Sequence, residues 1–386
     1  MSDADNIFTK LSWFRQDRVE QAHVMVVGCG ALGNEVLKNL ALFGIGHLTL
    51  VDFDRVETSN LSRSVLFRRE DAAAGRYKVD AAAERLHELN PDLDIRTIRG
   101  DIAYDVGLGL IRQMDVIIGC VDSRWARYCI NRLALRAGKP WVDGGIDSLE
   151  GTARVFIPGQ NCYACNLGPE GLREMHRRQS CANTIRMNEA AGRVPTTPVI
   201  ASIIGAVEAQ EAMKLIHNDG MSAAKPLNDA NDELTSLCGK MFYYEGQHLS
   251  TKLVDFRAWD DDCPVHEQWT PVTASGLTNE YTVQEALEAL RTLLHTDAVR
   301  ISLVNDCFVD KLIRKDDNSE IEVMQPKHKL TANSQQLTAD AYYANEYHEL
   351  DAVFPYQDMT LAQVGIPPQD ILLVHTEGKD CYVEIK

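Results

Sequence analysis

The chain has 386 residues, 45% of them hydrophobic and 25% charged, the balance of an ordinary globular protein about two or three domains long. No apolar run approaches the roughly 18 residues of a membrane span, and the acidic start Met1-Ser2-Asp3-Ala4-Asp5 has no secretory pattern, so a cytoplasmic protein is expected. A net charge of −17 with no cluster of cations excludes a nucleic-acid backbone as partner and favours basic proteins instead.

The first 160 residues read as alternating strands and helices. His23 to Val27 is a short apolar run, followed at once by Gly28-Cys29-Gly30-Ala31-Leu32-Gly33 and a helical apolar period through Leu40. A second strand, His47 to Val51, ends in Asp52, 19 residues after Gly33. Strand, glycine turn, helix and acid-ended strand together predict a nucleotide site: glycines admit phosphate, and the carboxylate binds ribose hydroxyls. The pattern continues with a helix over 78–89, a strand over 95–98, a strand over 116–121 ending in Asp122, a helix over 124–137 and a strand from Trp141. This predicts an α/β fold with a mainly parallel, Rossmann-like sheet and ligands at the strand carboxyl ends. Asp122 reads equally as a helix N-cap.

The stretch after Asp52 separates two nucleotide chemistries. It runs Asp52-Phe53-Asp54-Arg55-Val56-Glu57-Thr58-Ser59-Asn60-Leu61-Ser62-Arg63, with Lys78 beyond. A nicotinamide oxidoreductase needs no such added cations, whereas attack at the α-phosphate of a nucleoside triphosphate does. Arg63 and Lys78 would offset charge on the phosphoryl group and departing pyrophosphate, and Asp122 could hold Mg²⁺ through the phosphates.

These residues resemble the adenylation domain shared by ubiquitin-activating (E1) enzymes and the ThiF/MoeB sulfur-carrier adenylyltransferases, over about residues 13–267. The resemblance implies ATP binding and adenylylation of the C-terminal glycine of a ubiquitin-like protein. By motif, Gly28, Gly30, Ala31 and Gly33 would form the nucleotide turn with Asp54 close by, Asp52 would take the ribose, and Asn60, Arg63 and Lys78 the phosphates. Asp122 would serve Mg·ATP. An N-terminal Arg-Gln pair reaches across a dimer in such proteins, and Arg15-Gln16 is similar, although only 12 residues separate Arg15 from Gly28.

The ten cysteines then divide. Cys29, Cys120, Cys129, Cys307 and Cys381 lie among apolar neighbours and read as core. Cys162-Tyr163-Ala164-Cys165 is a redox pair or a metal half-site. Cys263-Pro264-Val265-His266 supplies a matching half, and three thiolates with one imidazole make a closed structural zinc set. Similar enzymes carry two Cys-x-x-Cys pairs here, so His266 departs from that pattern. Cys181 sits in the basic, polar Arg177-Arg178-Gln179-Ser180-Cys181 stretch, where cations favour the thiolate. It reads as a loop cysteine or as the nucleophile that takes the acyl group, within a loop expected over about 166–197. Pro195-Thr196-Thr197-Pro198 then enters a helix ending at His217. Cys238 is the weaker candidate nucleophile.

Residues 271–386 carry 9 basic and 19 acidic side chains and read as a second domain. After a polar linker over 271–280, an amphipathic helix over 284–294 precedes strands over 299–304, 308–313 and 321–324. The turn 360–367 and strand 370–374 resemble the end of a β-grasp, ubiquitin-like fold, which implies an α+β domain recruiting an E2 enzyme through its acidity. The chain end lacks Gly-Gly, so the protein is not expected to be the cargo. Three functions are thus weighed: a homodimeric E1-like enzyme of a bacterial ubiquitin-like protein conjugation operon with ATP, Mg²⁺ and Zn²⁺; a sulfur-carrier adenylyltransferase; and, more remotely, a nicotinamide oxidoreductase. A non-catalytic scaffold would not need Asp52, Arg63, Lys78, Asp122 and Cys181 together.

Overall fold

Val24 to Val27 and Leu48 to Val51 are buried almost without interruption, as suits strands covered on both faces. They pair in parallel, with His23 opposite His47. The computed structural model describes residues 7–179, 196–218, 234–333 and 342–386. Contacts divide the chain into two compact units, one of Met1–Ile102, Ile111–Arg173 and Arg193–Gln268, the other of Ala103–Leu110, Glu174–Gly192 and Trp269–Lys386.

The first unit is built on β1 (His23–Val27), β2 (His47–Val51), β3 (Asp94–Ile98), β4 (Val116–Gly119), β5 (Trp141–Asp147), β6 (Glu150–Phe156), β7 (Lys240–Glu245) and β8 (Ser250–Asp255). Their order is β3-β2-β1-β4-β5-β6-β7-β8. The strands from β3 to β5 run parallel, and β6 to β8 continue the sheet as antiparallel neighbours. Strand order reverses between β1 and β4, which leaves a crevice at their carboxyl ends, the usual ligand position in such sheets.

The helices are α1 (Gln16–Gln21), α2 (Ala31–Phe43), α3 (Arg69–Ala73), α4 (Lys78–Leu89), α5 (Leu108–Arg112), α6 (Arg124–Ala137), α7 (Tyr163–Gln179) and α8 (Pro198–His217). Gly138 closes α6 in the left-handed conformation, as the Gly138-Pro140 stop predicts. Thr197 caps α8 by accepting the Ile200 N–H at 3.3 Å, and Pro198 follows at the first turn. α8 packs along α2, and its Ile200, Ile204, Met213 and Leu215 join the core. One segment differs from its reading. The loop expected over about 166–197 is helical in its first part: residues 166–179, the basic stretch 173–178 among them, belong to α7, which bends at Gly168 with φ +69°.

The second unit holds β9 (Val272–Ala274), α9 (Val283–Leu294), β10 (Arg300–Ser302), β11 (Phe308–Arg314), β12 (Glu320–Pro326), α10 (Lys327–Asn333), β13 (Tyr342–Tyr347), β14 (Glu349–Leu350), β15 (Ile371–Thr376) and β16 (Lys379–Glu384). A five-stranded sheet runs β14-β10-β15-β16-β9, and a three-stranded one β12-β11-β13. A reciprocal capping box of Thr282 and Glu285 starts α9, and its Leu287 and Leu290 are buried in the core of this unit. The stretch read as a linker contains β9, which pairs in parallel with β16. Its three residues carry too short an alternation to signal a strand. No helix among the described residues is long and apolar enough to cross a membrane.

Candidate functional site

The glycine turn sits at the β1–β4 crevice. Gly28 has φ +92°, and a Cβ there would lie 2.5 Å from the Cys120 carbonyl oxygen. At Gly33 a Cβ would lie 1.9 Å from the Gly28 oxygen, so both positions require glycine for close packing. Around Gly30 nothing lies within 4 Å of such an atom, which leaves room for a ligand against the start of α2.

Asp52 locks onto this turn from the end of β2. Its Oδ2 accepts the Cys29 N–H at 2.7 Å and its Oδ1 the Asp54 N–H at 2.8 Å. Lys78, only 9% exposed, donates from Nζ to Asp54 Oδ2 at 2.6 Å. Burial pushes the Asp52 carboxyl up from its ordinary value, against the pull of Lys78 and the two amide donors. Burial works to lower Lys78, but Asp52 and Asp54 outweigh it and hold the ammonium above its usual value. The Lys78 ammonium is thus held on Asp54 beside the carboxylate that caps the glycine turn.

The other expected residues are placed less directly. Arg63 donates to the Ser59 carbonyl at 3.1 Å. Asn60 is buried, and its Oδ1 accepts the Glu57 N–H at 2.9 Å as part of a capping box. Asp122 is exposed just beyond β4. The N-cap of α6 is Ser123, which accepts the Ala126 N–H at 3.0 Å, so Asp122 is free of the capping role weighed for it. Arg15 begins α1 through its backbone. Cys181 lies outside the described residues.

Three residues that the sequence did not single out matter here. Asn34 is fully buried and donates to the Cys29 and Gly30 carbonyls at 2.8 and 3.0 Å, while its Oδ1 accepts the Leu66 N–H at 2.7 Å. It fastens the turn to the segment leading from Arg63. Arg127 donates from Nε to the buried Asp143 at 2.8 Å and from Nη2 to the Gly144 carbonyl at 2.9 Å. A polar residue one turn into an apolar helix was the available signal for Asn34; the Arg127–Asp143 pair left none.

Glu208 of α8 is fully buried against Gly144, and its carboxyl lies 3.8–3.9 Å from Cys120 Sγ. Burial, then the Asp143 charge, pushes its pKa well up. The unfolded chain loses this proton near the ordinary glutamate value of about 4.3, whereas the native state keeps it. Between those two values the native state binds the extra proton, so stability falls as pH rises. Relative to wild type, Glu208→Gln should gain stability with rising pH by up to about 1.4 kcal/mol per pH unit, measured as urea midpoints. A constant difference across that window would rule out a protonated Glu208.

Away from this crevice, Cys162 and Cys165 flank the start of α7, and Cys263 and His266 lie in a turn after β8. Their ligand atoms all fall within 4.8 Å of one another. Cys162 Sγ is 3.6 Å from Cys165 Sγ and 3.8 Å from Cys263 Sγ, and Cys165 Sγ is 3.2 Å from His266 Nε2. Ligands of a tetrahedral zinc with ~2.3 Å bonds sit ~3.8 Å apart, so the set fits such an ion. Burial pushes the Cys162 and Cys263 thiols up and lowers His266. The imidazole is then neutral, and thiolates here require a cation. Cys307, Glu346 and His348 also converge in the second unit, but Lys327 Nζ already neutralises Glu346 at 2.7 Å.

Of the cysteines read as core, Cys29, Cys120, Cys129 and Cys307 are buried and Cys381 partly so. Cys238 donates from Sγ to Gln160 Oε1 at 2.7 Å, and burial, then Glu211, pushes it up to about 12. A thiol so held is a poor nucleophile, which removes it as a rival to Cys181.

The chain is 31% identical over 250 residues to the SAMP-activating enzyme E1 of Haloferax volcanii, covering 65% of this chain and 82% of that one. It is 31% identical over 259 residues to adenylyltransferase and sulfurtransferase MOCS3 of Mus musculus, covering 67% of this chain but only half of that protein's length. Among solved structures, E. coli MccB with succinimide aligns at a TM-score of 0.51 with 22% identity, over 65% of this chain and 68% of that one; this likeness bears on the fold alone. The ThiF family model matches residues 5–265, a span that takes in the glycine turn, Asp52, Lys78 and the three converging cysteines, and the chain belongs to the ThiF family.

Proposed function

We propose that this protein is an E1-like enzyme that uses ATP to adenylylate the C-terminal carboxylate of a ubiquitin-like protein. The observation that carries the reading is the Asp52–Asp54–Lys78 arrangement on the glycine turn: a ribose acceptor and a buried cation on one crevice. A carboxylate oxygen of the cargo attacks the α-phosphorus, the bond to the bridging oxygen breaks, and pyrophosphate leaves. Lys78 and Arg63 offset the charge on the phosphates, and Asp122 would hold a Mg²⁺ ion that supplies further charge neutralisation there. Cys162, Cys165, Cys263 and His266 would hold a structural zinc that ties the turn after β8 to the start of α7.

In the second step the Cys181 thiolate attacks the acyl carbon, AMP leaves, and a thioester forms. Transfer to an E2 docked on the acidic residues 281–386, read as ubiquitin-fold-like, completes the cycle in a homodimer in the cytoplasm. The resemblance to mouse MOCS3 favours a second ending, in which the adenylate is thiolated instead. Both endings share the first step.

The test uses ATP, Mg²⁺ and candidate glycine-ended ubiquitin-like proteins. Pyrophosphate exchange into ATP is expected with the true cargo, and none with any candidate would sink the adenylation reading. On a non-reducing gel, a thiol-sensitive adduct absent in Cys181→Ala supports the thioester. An adduct persisting in that variant removes Cys181, and exchange without an adduct favours sulfur transfer.

A further inference from the structure

His217 closes α8 under the N-terminal segment and is 9% exposed. Its Nδ1 donates to the Met213 carbonyl, one turn back, at 2.7 Å. Its Nε2 accepts the Arg15 backbone N–H at 2.9 Å. A carbonyl can only accept and an amide N–H can only donate, so these partners fix the neutral Nδ1–H tautomer.

The surroundings reinforce that state. The Trp13 ring meets the imidazole edge-on at 5.3 Å and Phe14 tilts over it at 5.5 Å. Arg18 Nη1 donates to the His217 carbonyl at 2.6 Å. The charged groups facing the ring are Arg18 and Arg15, which oppose a proton, and Asp17, which favours one, while α8 contributes the Met213 carbonyl. Burial, the largest influence, lowers the pKa below its ordinary value. Arg15 is the N-cap residue of α1 and makes no side-chain cap bond. Its side chain is exposed while its amide is held by the imidazole.

We infer that His217 is a positioning residue for Arg15: the neutral imidazole fixes where α1 starts and so where the exposed guanidinium is presented, and a proton on Nε2 releases it. Protonated, Nε2–H would face the Arg15 N–H donor to donor beside two guanidinium groups, so the bond is lost outright. The inference rests on the adenylation reading and on the resemblance by which the Arg15-Gln16 pair would reach across a dimer, where Arg15 would offer its cation to the neighbouring protomer's nucleotide. It adds that the supply is gated by one proton on another residue.

The experiment follows hydrogen exchange of the peptide spanning residues 8–18 in the full-length protein against pH, corrected for intrinsic rates, beside pyrophosphate exchange. In wild type, protection at Arg15 should fall about tenfold as pH drops below the ordinary imidazole value, with a matching acid limb in activity. His217→Phe keeps ring packing but cannot accept. It should lose that protection at every pH, raise KM for ATP and abolish the acid limb. Protection unchanged by acid in wild type overturns the inference without recourse to any variant, and so does lost protection in His217→Phe with wild-type KM and pH profile. A wild-type protein with a pH-dependent Arg15 amide but no pyrophosphate exchange at any pH overturns the positioning role through the adenylation reading, and leaves the contact itself standing.

Discussion

Lys78→Ala should slow pyrophosphate exchange about 100- to 1000-fold, the usual scale for losing one preorganised charge at a transition state. Lys78 is nearly buried beside two carboxylates and bonds Asp54 Oδ2. Asp54 is about half exposed, with 48% of its side chain accessible, so an incoming phosphate can take over the ammonium without a large rearrangement. Removing Lys78 deletes this cation and leaves Asp52, pushed up by burial, without the charge that opposes the shift. Ribose binding and phosphate neutralisation should fail together, with KM for ATP rising as kcat falls. Lys78→Arg is not expected to rescue, because a planar fork does not fit a slot shaped for a point charge. The control is a thermal melt: the fold should survive, since α4 begins with backbone bonding from the Lys78 N–H to the Asp54 carbonyl at 2.9 Å. Exchange within about twofold of wild type, below 0.5 kcal/mol of barrier, would remove the phosphates from Lys78.

Much of this arrangement is legible in the sequence because local chemistry dictates it. Gly28 and Gly33 advertise a backbone approach that no Cβ tolerates, and apolar runs bounded by turns give β1 and β2 to the residue. Residues 124–137 carry their own stop signal, and α6 ends there. What escapes the sequence depends on distance along the chain. Arg127 meets Asp143 across 16 residues and Cys120 meets Glu208 across 88, and no periodicity marks a partner that far away. β9 is three residues long and exists because β16 offers it an edge more than a hundred residues later. The loop reading of 173–178 failed for a different reason. Polar, charged residues suggested solvent, yet arginine, glutamate and methionine are good helix formers once Gly168-Pro169 has restarted the helix.

Stripping the metal should have the largest effect on stability. Structural zinc contributes roughly 10–16 kcal/mol in small domains at neutral pH, as much as or more than the total stability of many domains. Here the four candidate ligands come from two turns about a hundred residues apart, Cys162 with Cys165 and Cys263 with His266, so an ion bound there would close a long loop. Among the described residues, those turns also meet through Asn161, which donates to the Arg257 and Ala258 carbonyls at 2.7 and 3.0 Å, and through Asn166, whose Oδ1 accepts the Arg257 N–H at 3.1 Å. Cys165→Ser should therefore loosen the end of β8 and the start of α7 and lower the melting temperature by many degrees, with zinc content near zero. Chelation of wild type should reproduce the melt. His266→Cys, which supplies a fourth thiolate, should retain zinc with higher affinity, because a thiolate is the softer ligand. It would also lose the stacking of the imidazole on Trp259, whose ring centroid lies 3.7 Å away. Zinc content of one per chain in wild type and His266→Cys but not in Cys165→Ser is the expected pattern. A chain with no metal, or an unchanged melt in Cys165→Ser, would reduce the cluster to a set of buried thiols. In that case the elevated Cys162 and Cys263 thiols are themselves the stable state, and the close approach of sulfur to imidazole becomes a hydrogen bond from Cys165 to a neutral His266.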